Sequence, residues 1–191
     1  MAEAILVFTH FIKKETMTIR RIVTGHSSDG KSVIASDEGV AGFEPPGIPG
    51  HLFHVLWGAD SPQTYPDDGA LPDHGAWFAP VGGVRFVAWT VPPDSAAAVG
   101  DEAPEALEET ERLMPGLLGL MENETPGFHR SDTTDLIYIV SGRIILQLDD
   151  GVEVEVKAGE AVIQNGTRHA WRNPGSEPCT IIGLLVGAER Y

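Results

Sequence analysis

The sequence predicts an all-β protein built as a closed barrel or sandwich, with one short helix. Its 191 residues are enough for one domain that buries a real core. From Thr134 onward, short β-rich runs follow one another with no helix between them, which is the spacing of an antiparallel meander. The 22 glycines and 14 prolines are typical of a turn-rich fold.

The predicted strands are runs rich in β-branched and aromatic residues, each bounded by glycine, proline or aspartate. They cover residues 19–23, 32–36, 53–57, 84–91, 136–140, 143–148, 152–156, 161–163, 168–171 and 180–186. Between two of these runs, Asp150 and Gly151 form an Asp-Gly pair that suits the positive dihedral angles of a tight hairpin turn.

Two stretches do not have the pattern of strands. Residues 58–83 carry four prolines and several glycines and aspartates, so we predict a long surface connection. Residues 101–114 have helical composition and end at Pro115, which predicts one short acidic helix. We expect this helix to be a solvated surface element, and the alternative is that it gates the mouth of the barrel.

The chain divides into three parts. Met17 begins a plausible second start, so the residues before it are expected to be a disordered segment or an extension from an upstream start. The predicted parts are this extension at 1–17, N-terminal strands with a long loop that pack on the barrel at 18–83, and the barrel itself at 84–191.

Charge and cysteine content exclude several partners. With 28 acidic and 13 basic residues, the formal net charge is -15, which repels phosphate backbones and anionic membrane surfaces. We therefore expect neither a nucleic acid nor a membrane as a partner. The single cysteine, Cys179, cannot form an intrachain disulfide and lies among apolar residues, which predicts an inert buried thiol and a cytoplasmic protein.

Two segments would place candidate site residues on one face of an extended chain. His129, Ser131, Thr133 and Asp135 occupy alternate positions, so an extended chain directs all four to one face. Further along, His169 and Trp171 share one face of another strand. A closed barrel would bring His169 towards His129.

The spacing of these residues resembles the two motifs of the cupin superfamily. The first motif reads His-x-His, three or four residues, Glu, six residues, Gly, and the second reads Pro-x-Gly, two residues, His, three residues, Asn. The positions that match the first motif are His129, Ser131 in place of the second His, Asp135 in place of the Glu, and Gly142. Those that match the second are Gln164 in place of the Pro, Gly166, His169 and Asn173.

The resemblance implies a double-stranded β-helix, or jelly roll, that holds one divalent transition metal. By this resemblance His129, Asp135 and His169 are the metal ligands, with Fe(II) favoured and Mn(II), Ni(II) or Zn(II) as alternatives. Ser131 and Trp171 are expected to contact a small-molecule substrate. The resemblance also implies a homodimer.

Three functions follow from the resemblance. The leading one is a metal-dependent enzyme that acts on a small organic molecule, of the dioxygenase or decarboxylase type. The alternatives are a binding or regulatory protein without catalysis, and a metal-free isomerase or epimerase that uses His129 or His169 as a general base. In a metal-free barrel Asp135 is expected to form a hydrogen bond with Ser131, Thr133 or a histidine.

Other candidate residues receive structural interpretations. His51 and His54 are three apart and point to opposite faces of an extended strand, which disfavours a ligand pair there. Tyr138 has the opposite parity from Asp135 and should face away from the site. His26 and His74 lie in loop-like sequence and are expected to be solvated.

Overall fold

The computed structural model describes residues 17–96 and 103–191, so the predictions for residues 1–16 lie outside the described residues. The strands are β1 Thr18–His26, β2 Ser32–Ala41, β3 Leu52–Ala59, β4 Val84–Val91, β5 Thr133–Ser141, β6 Arg143–Gln147, β7 Glu153–Lys157, β8 Ala161–Asn165, β9 Ala170–Arg172 and β10 Cys179–Gly187. The helix α1 spans Pro104–Leu113, and short 3-10 turns occupy Leu118–Leu120 and Asp149–Gly151.

The strands form a double-stranded β-helix, which is the predicted fold class. One sheet has the order β3-β4-β10-β5-β8 and a second has the order β7-β6-β9, with antiparallel neighbours throughout. Their inner faces pack on each other, because Ile139 and Ile181 of the larger sheet share a core with Ile144 and Val156 of the smaller one. A separate ribbon, β1-β2, lies outside this sandwich.

Strand β3 lies in the same sheet as β4, although the predicted barrel range begins at residue 84. It pairs with β4 along its length, with Phe53 opposite Trp89. The prediction separated the two strands because a long connection without regular structure lies between them in the sequence. The β1-β2 ribbon packs beside β3, where the Arg21 guanidinium donates to the Leu56 carbonyl oxygen at 3.1 Å.

The connection at 60–83 is not entirely a surface loop. Arg85 is 1% exposed and its guanidinium donates to the carbonyl oxygens of Ala59 at 2.9 Å and Ala76 at 2.8 Å, and it pairs with Asp60. A buried guanidinium needs such acceptors, so it ties the start of this segment and Ala76 in its second half to β4. Trp77, which directly follows Ala76, is 9% exposed and packs in the core.

Helix α1 packs against the segment that precedes β3. Pro104 stands at its first turn, where the missing N–H costs nothing. The buried Thr110 hydroxyl donates to the Ala106 carbonyl and accepts from the Gly47 N–H at 2.8 Å. After the helix, Met114 is 1% exposed, so this segment is more than the solvated element that the sequence predicts. Residues 101 and 102 of the predicted helix lie outside the described residues.

Neither α1 nor the short 3-10 turns, the helical elements within the described ranges, is long and apolar enough to cross a membrane.

Candidate active site

An apolar cavity of about 250 Å³ lies inside the barrel. Strands of the larger sheet, the segment after α1 and the chain around β9 all contribute to its wall. The aromatic part of the wall consists of Phe53, Trp77, Phe78, Trp89 and Trp171. The polar part consists of His51, His129, Asp135, Gln164 and His169. A largely apolar pocket with a few convergent polar groups is the usual form of a small-molecule site.

His129 and His169 form the centre of the polar wall. Their backbones exchange two hydrogen bonds, each 3.0 Å long, so the two residues lie directly opposite each other. Their ring centroids are 4.4 Å apart. The two motif histidines, which are far apart in the sequence, therefore meet on one side of the cavity.

A neighbouring backbone carbonyl group identifies which nitrogen of each neutral ring carries the hydrogen. Nδ1 of His129 lies 3.2 Å from the Gly127 carbonyl oxygen, and Nδ1 of His169 lies 2.9 Å from the Thr167 carbonyl oxygen. A carbonyl oxygen only accepts, so Nδ1 carries the hydrogen in both rings. In the neutral rings, Nε2 is left with a free lone pair.

Both imidazoles are neutral near pH 7. Burial penalises the imidazolium of His169 and His129 beside it adds repulsion, which together lower the pKa of His169 to about 4. Burial also lowers the pKa of His129, although the Gly127 carbonyl and the Glu122 carboxylate offset part of this effect. The pair therefore offers proton acceptors or metal ligands rather than a positive charge.

Asp135 lies on β5 and is 5% exposed. Its Oδ1 is buried and has no hydrogen-bond partner in the part of the chain that the structure describes. Burial raises the pKa of this carboxyl to about 6, and the Thr133 hydroxyl offsets part of the effect. A buried acceptor without a partner is costly, which indicates that a bound molecule or proton completes it.

The predicted metal-ligand set is only partly assembled. Across residues 17–96 and 103–191, no group of three His, Cys, Asp or Glu side chains is arranged to hold a metal ion. The two histidines come together, but Asp135 does not complete a three-ligand group with them. The aspartate side chain is one methylene shorter than the glutamate of the family motif. These residues alone therefore do not fit the metal site, and the metal remains a prediction.

The two predicted substrate contacts differ in position. Trp171 lines the cavity, with its ring edge-on to His169 at a centroid distance of 6.0 Å. Ser131 is 1% exposed and does not line the described cavity. Its hydroxyl accepts a hydrogen bond from the Thr133 hydroxyl at 2.8 Å. The Ser131 side chain is therefore buried, as its alternate position in the sequence predicts, but its partner is another residue of the protein.

Two residues of the polar wall were not predicted as site residues. Gln164 stands where the family motif has proline, and its amide donates to the Thr167 carbonyl oxygen at 3.1 Å, which holds the turn before His169. Its position in the second motif was the sequence signal that could have identified Gln164 as a site residue. His51 precedes β3, and no sequence pattern links it to the motif residues, because strand pairing alone brings β3 into the barrel.

Residues 116–186 match the cupin domain family. This chain carries a cupin domain. The matched range contains both motif histidines, Asp135 and Gln164, whereas β3 and β4 precede it. The cupin domain thus supplies the histidine pair, and the preceding part of the chain supplies one side of the cavity.

Curated relatives resemble a short part of the chain. Oryzines biosynthesis cluster protein J of Aspergillus oryzae is 37% identical over 49 residues, which are 26% of this chain and 27% of that protein. Phomopsin biosynthesis cluster protein C' of Diaporthe leptostromiformis is 40% identical over 45 residues, which are 24% of each chain. The matches thus span about a quarter of the relatives' length.

Among solved structures, the polyketide cyclase RemF from Streptomyces resistomycificus aligns with 76% of this chain and 72% of its own. The TM-score is 0.43 and the sequence identity is 19%.

Proposed function

We propose that this cupin protein is an enzyme that transfers a proton on an uncharged small organic molecule bound in the barrel. The observation that carries the proposal is the pair of neutral imidazoles, His129 and His169, placed 4.4 Å apart on the wall of an apolar cavity. General bases in enzymes are most often histidines whose accepting nitrogen is free. The names of the curated relatives refer to biosynthesis clusters, which is consistent with action on a small molecule.

The wall of the cavity defines the class of substrate. No lysine or arginine is among its lining residues within the described ranges, so a carboxylate or phosphate would find no cation there. Aromatic and aliphatic side chains supply most of the contact surface. The cavity volume of about 250 Å³ equals that of roughly eight water molecules. An uncharged molecule of one or two rings suits this cavity.

His129 is assigned as the base. The Glu122 carboxylate favours its protonated form, and Glu122 itself stays ionised because Arg168 holds the pKa of that carboxyl at about 2. Nε2 of His129 accepts a proton from an acidic C–H or O–H of the bound molecule. Asp135, with its pKa raised to about 6, supplies the proton of its protonated form to a second atom of the molecule, so the net reaction is an isomerisation. His129 then gives up the proton it accepted and Asp135 takes one up, both by exchange with water, which restores the starting state. His169 holds the ring of His129 in position.

A metal-dependent dioxygenase or decarboxylase is the alternative that the motif resemblance predicts. It requires a third ligand beside the histidine pair, and the described side chains do not supply one. A binding protein without catalysis would use the same cavity. Chelation should abolish turnover by a metal-dependent enzyme and leave the proposed proton transfer unchanged. A binding protein should show no turnover, so substitution of a histidine would not lower it.

Deuterium exchange tests the proposed function with a defined probe. In deuterated buffer, the uncharged two-ring ketone 2-tetralone should gain deuterium beside its carbonyl faster with the protein than without it, as measured by mass spectrometry. His129→Gln should lower the protein-dependent part of the exchange rate by at least about 100-fold, which is the usual contribution of acid–base catalysis. His74→Gln is the matched control, because His74 does not line the cavity. Equal rates in wild type and His129→Gln would contradict the proposal.

A further inference from the structure

We propose that His51 is a further ligand-contacting residue, whose Nδ1 forms a hydrogen bond with a hydroxyl or carbonyl group of the molecule in the cavity. This inference rests on the proposed function only in that both require the cavity to hold a small molecule. His51 lies before the matched cupin range and outside both motifs.

The unpaired nitrogen is the first observation. Nδ1 of His51 is buried and has no hydrogen-bond partner among the described residues. Every other histidine in the described ranges has a ring nitrogen at hydrogen-bond distance from a backbone carbonyl oxygen. These histidines are His26, His54, His74, His129 and His169. The His51 ring also lies near the Pro49 and Ile48 carbonyls, but neither forms a hydrogen bond with its Nδ1. His51 is also a residue of the cavity wall.

The ring of His51 is held in place by its neighbours. It stacks on Phe53 with a centroid distance of 6.2 Å and an interplanar angle of 16°. Phe53 in turn meets Trp77 edge-on at 5.6 Å. A polar atom on a ring clamped in this way is preorganised for binding, because little side-chain freedom is lost when a ligand arrives.

The chain before His51 is shaped to place it there. Gly50 has a φ of 79°, and a Cβ at this position would lie 3.3 Å from the Pro92 side chain. The turn closes with the His51 N–H bonded to the Ile48 carbonyl oxygen at 3.3 Å. Glycine permits both the positive φ and the close approach, so the chain can enter β3 with His51 on the cavity side.

The groups near the His51 ring leave Nδ1 without a hydrogen bond in the described part of the chain. The nearby charged group is Asp94, but its carboxylate is bonded to the Arg172 guanidinium at 2.7 Å and to the Asn173 N–H at 3.0 Å. Burial lowers the pKa of His51, and the Pro49 and Ile48 carbonyls and Asp94 offset this only in part. The ring is therefore neutral, and it can accept from a hydroxyl or, in the other tautomer, donate to a carbonyl.

A pair of probes of matched shape tests the contact. Naphthalene and 2-naphthol share the same two rings and differ by one hydroxyl, and their binding can be followed by quenching of the cavity tryptophans. We expect wild type to bind 2-naphthol more tightly than naphthalene. His51→Phe keeps the stack on Phe53 and removes the nitrogen, so the hydroxyl preference should fall about 5-fold while naphthalene affinity is unchanged.

Two further variants serve as controls. One tests whether the substitution itself perturbs the protein, and the other tests whether a different hydrogen-bonding side chain can replace His51. His74→Phe makes the same substitution outside the cavity and should keep the wild-type preference. His51→Gln keeps a hydrogen-bonding group and should restore part of the preference. The proposal is overturned if His51→Phe retains the wild-type preference, if both probes weaken equally, or if wild type shows no preference or no binding.

The outcome separates this inference from the proposed function. If 2-tetralone exchange does not depend on His129 but the hydroxyl preference depends on His51, the cavity binds ligands and the base assignment is wrong. If exchange depends on His129 and the preference does not depend on His51, the base assignment stands and the contact is wrong.

Discussion

His129 and His169 lie directly opposite each other because their backbones exchange hydrogen bonds of 3.0 Å, and their tilted rings have centroids 4.4 Å apart. This pairing lies next to β5 and β9 rather than within them. When one of the two rings becomes an imidazolium, its charge makes protonation of the other ring more costly. The pair therefore accepts one additional proton more easily than two. A site with two neutral imidazoles suits proton acceptance from a bound molecule.

Asp135→Asn should stabilise the metal-free protein at pH 8. The folded pKa of about 6 lies above the ordinary value of 3.8, so the native state binds this proton more tightly than the unfolded chain. The stabilising contribution is fully present below pH 3.8 and is lost as the pH rises through 6. At pH 8 the buried carboxylate then costs on the order of 3 kcal/mol.

Urea unfolding of chelator-treated wild type and Asp135→Asn at pH 5 and pH 8 measures this difference. The gain in the free energy of unfolding should be larger at pH 8 than at pH 5. A variant less stable than wild type at pH 8 would indicate that the carboxylate has a cationic partner in the folded protein.

His169→Gln should reduce the loss of stability in acid. The folded pKa of about 4 lies below the ordinary value of 6.5, so the unfolded chain binds the proton more tightly. The contribution is present above pH 6.5 and is lost as the pH falls through 4. Urea midpoints between pH 7 and pH 5 should therefore fall more for wild type than for the variant. Parallel pH profiles would show that His169 is not held neutral.

Chelation should leave the exchange activity on 2-tetralone unchanged. The proposed base and acid are side chains, and the described residues assemble no three-ligand metal group. Elemental analysis of protein purified without chelator, then reconstituted with Fe(II), Mn(II), Ni(II) or Zn(II), checks the opposite case. Stoichiometric metal that is lost in His169→Ala, together with activity that requires it, would favour the metal-dependent alternative.

Arg85→Met should destabilise the protein by on the order of 3 kcal/mol, because it removes a buried guanidinium and leaves its partners unpaired. The Ala59 and Ala76 carbonyl oxygens and Asp60 lose their donor. Trp77 follows Ala76 directly, so its emission should shift to the red as this segment loosens. The change is measured by urea unfolding and tryptophan fluorescence.

Arg20→Met is the matched control for Arg85→Met. Arg20 also pairs with an aspartate, Asp37, but its side chain is 69% exposed. Exposed pairs contribute about 0–1 kcal/mol, so the control should stay close to wild type. Similar losses in the two variants would contradict the anchoring role of Arg85.

Local sequence patterns predicted several elements closely. Strand β4 has the predicted bounds of Val84 and Val91. Alternation on β5 placed Asp135 inward and Tyr138 outward, and Tyr138 is 48% exposed. Asp150 and Gly151 have φ values of 56° and 74°, as the predicted hairpin turn requires. Such features depend on neighbours a few residues apart, so the sequence contains the information directly.

Contacts between distant segments were harder to predict. The place of β3 in the barrel sheet depends on its pairing with β4 across a connection that has no regular structure. The burial of Trp77 depends on Arg85, whose acceptors are backbone atoms with no sequence signature. Ser131 had the right parity, but the Thr133 hydroxyl satisfies it internally.

The sequence by itself determined the all-β fold, the inward row of polar side chains and the motif positions of His129, Asp135 and His169. Only the tertiary structure decided that the two histidines meet, that Asp135 forms no three-ligand group with them in the described residues, and that His51 joins the same cavity wall. The physical reason is that periodicity fixes the side of a strand on which a residue lies. Distances across a barrel depend on register, side-chain length and the packing of segments that are remote in the chain.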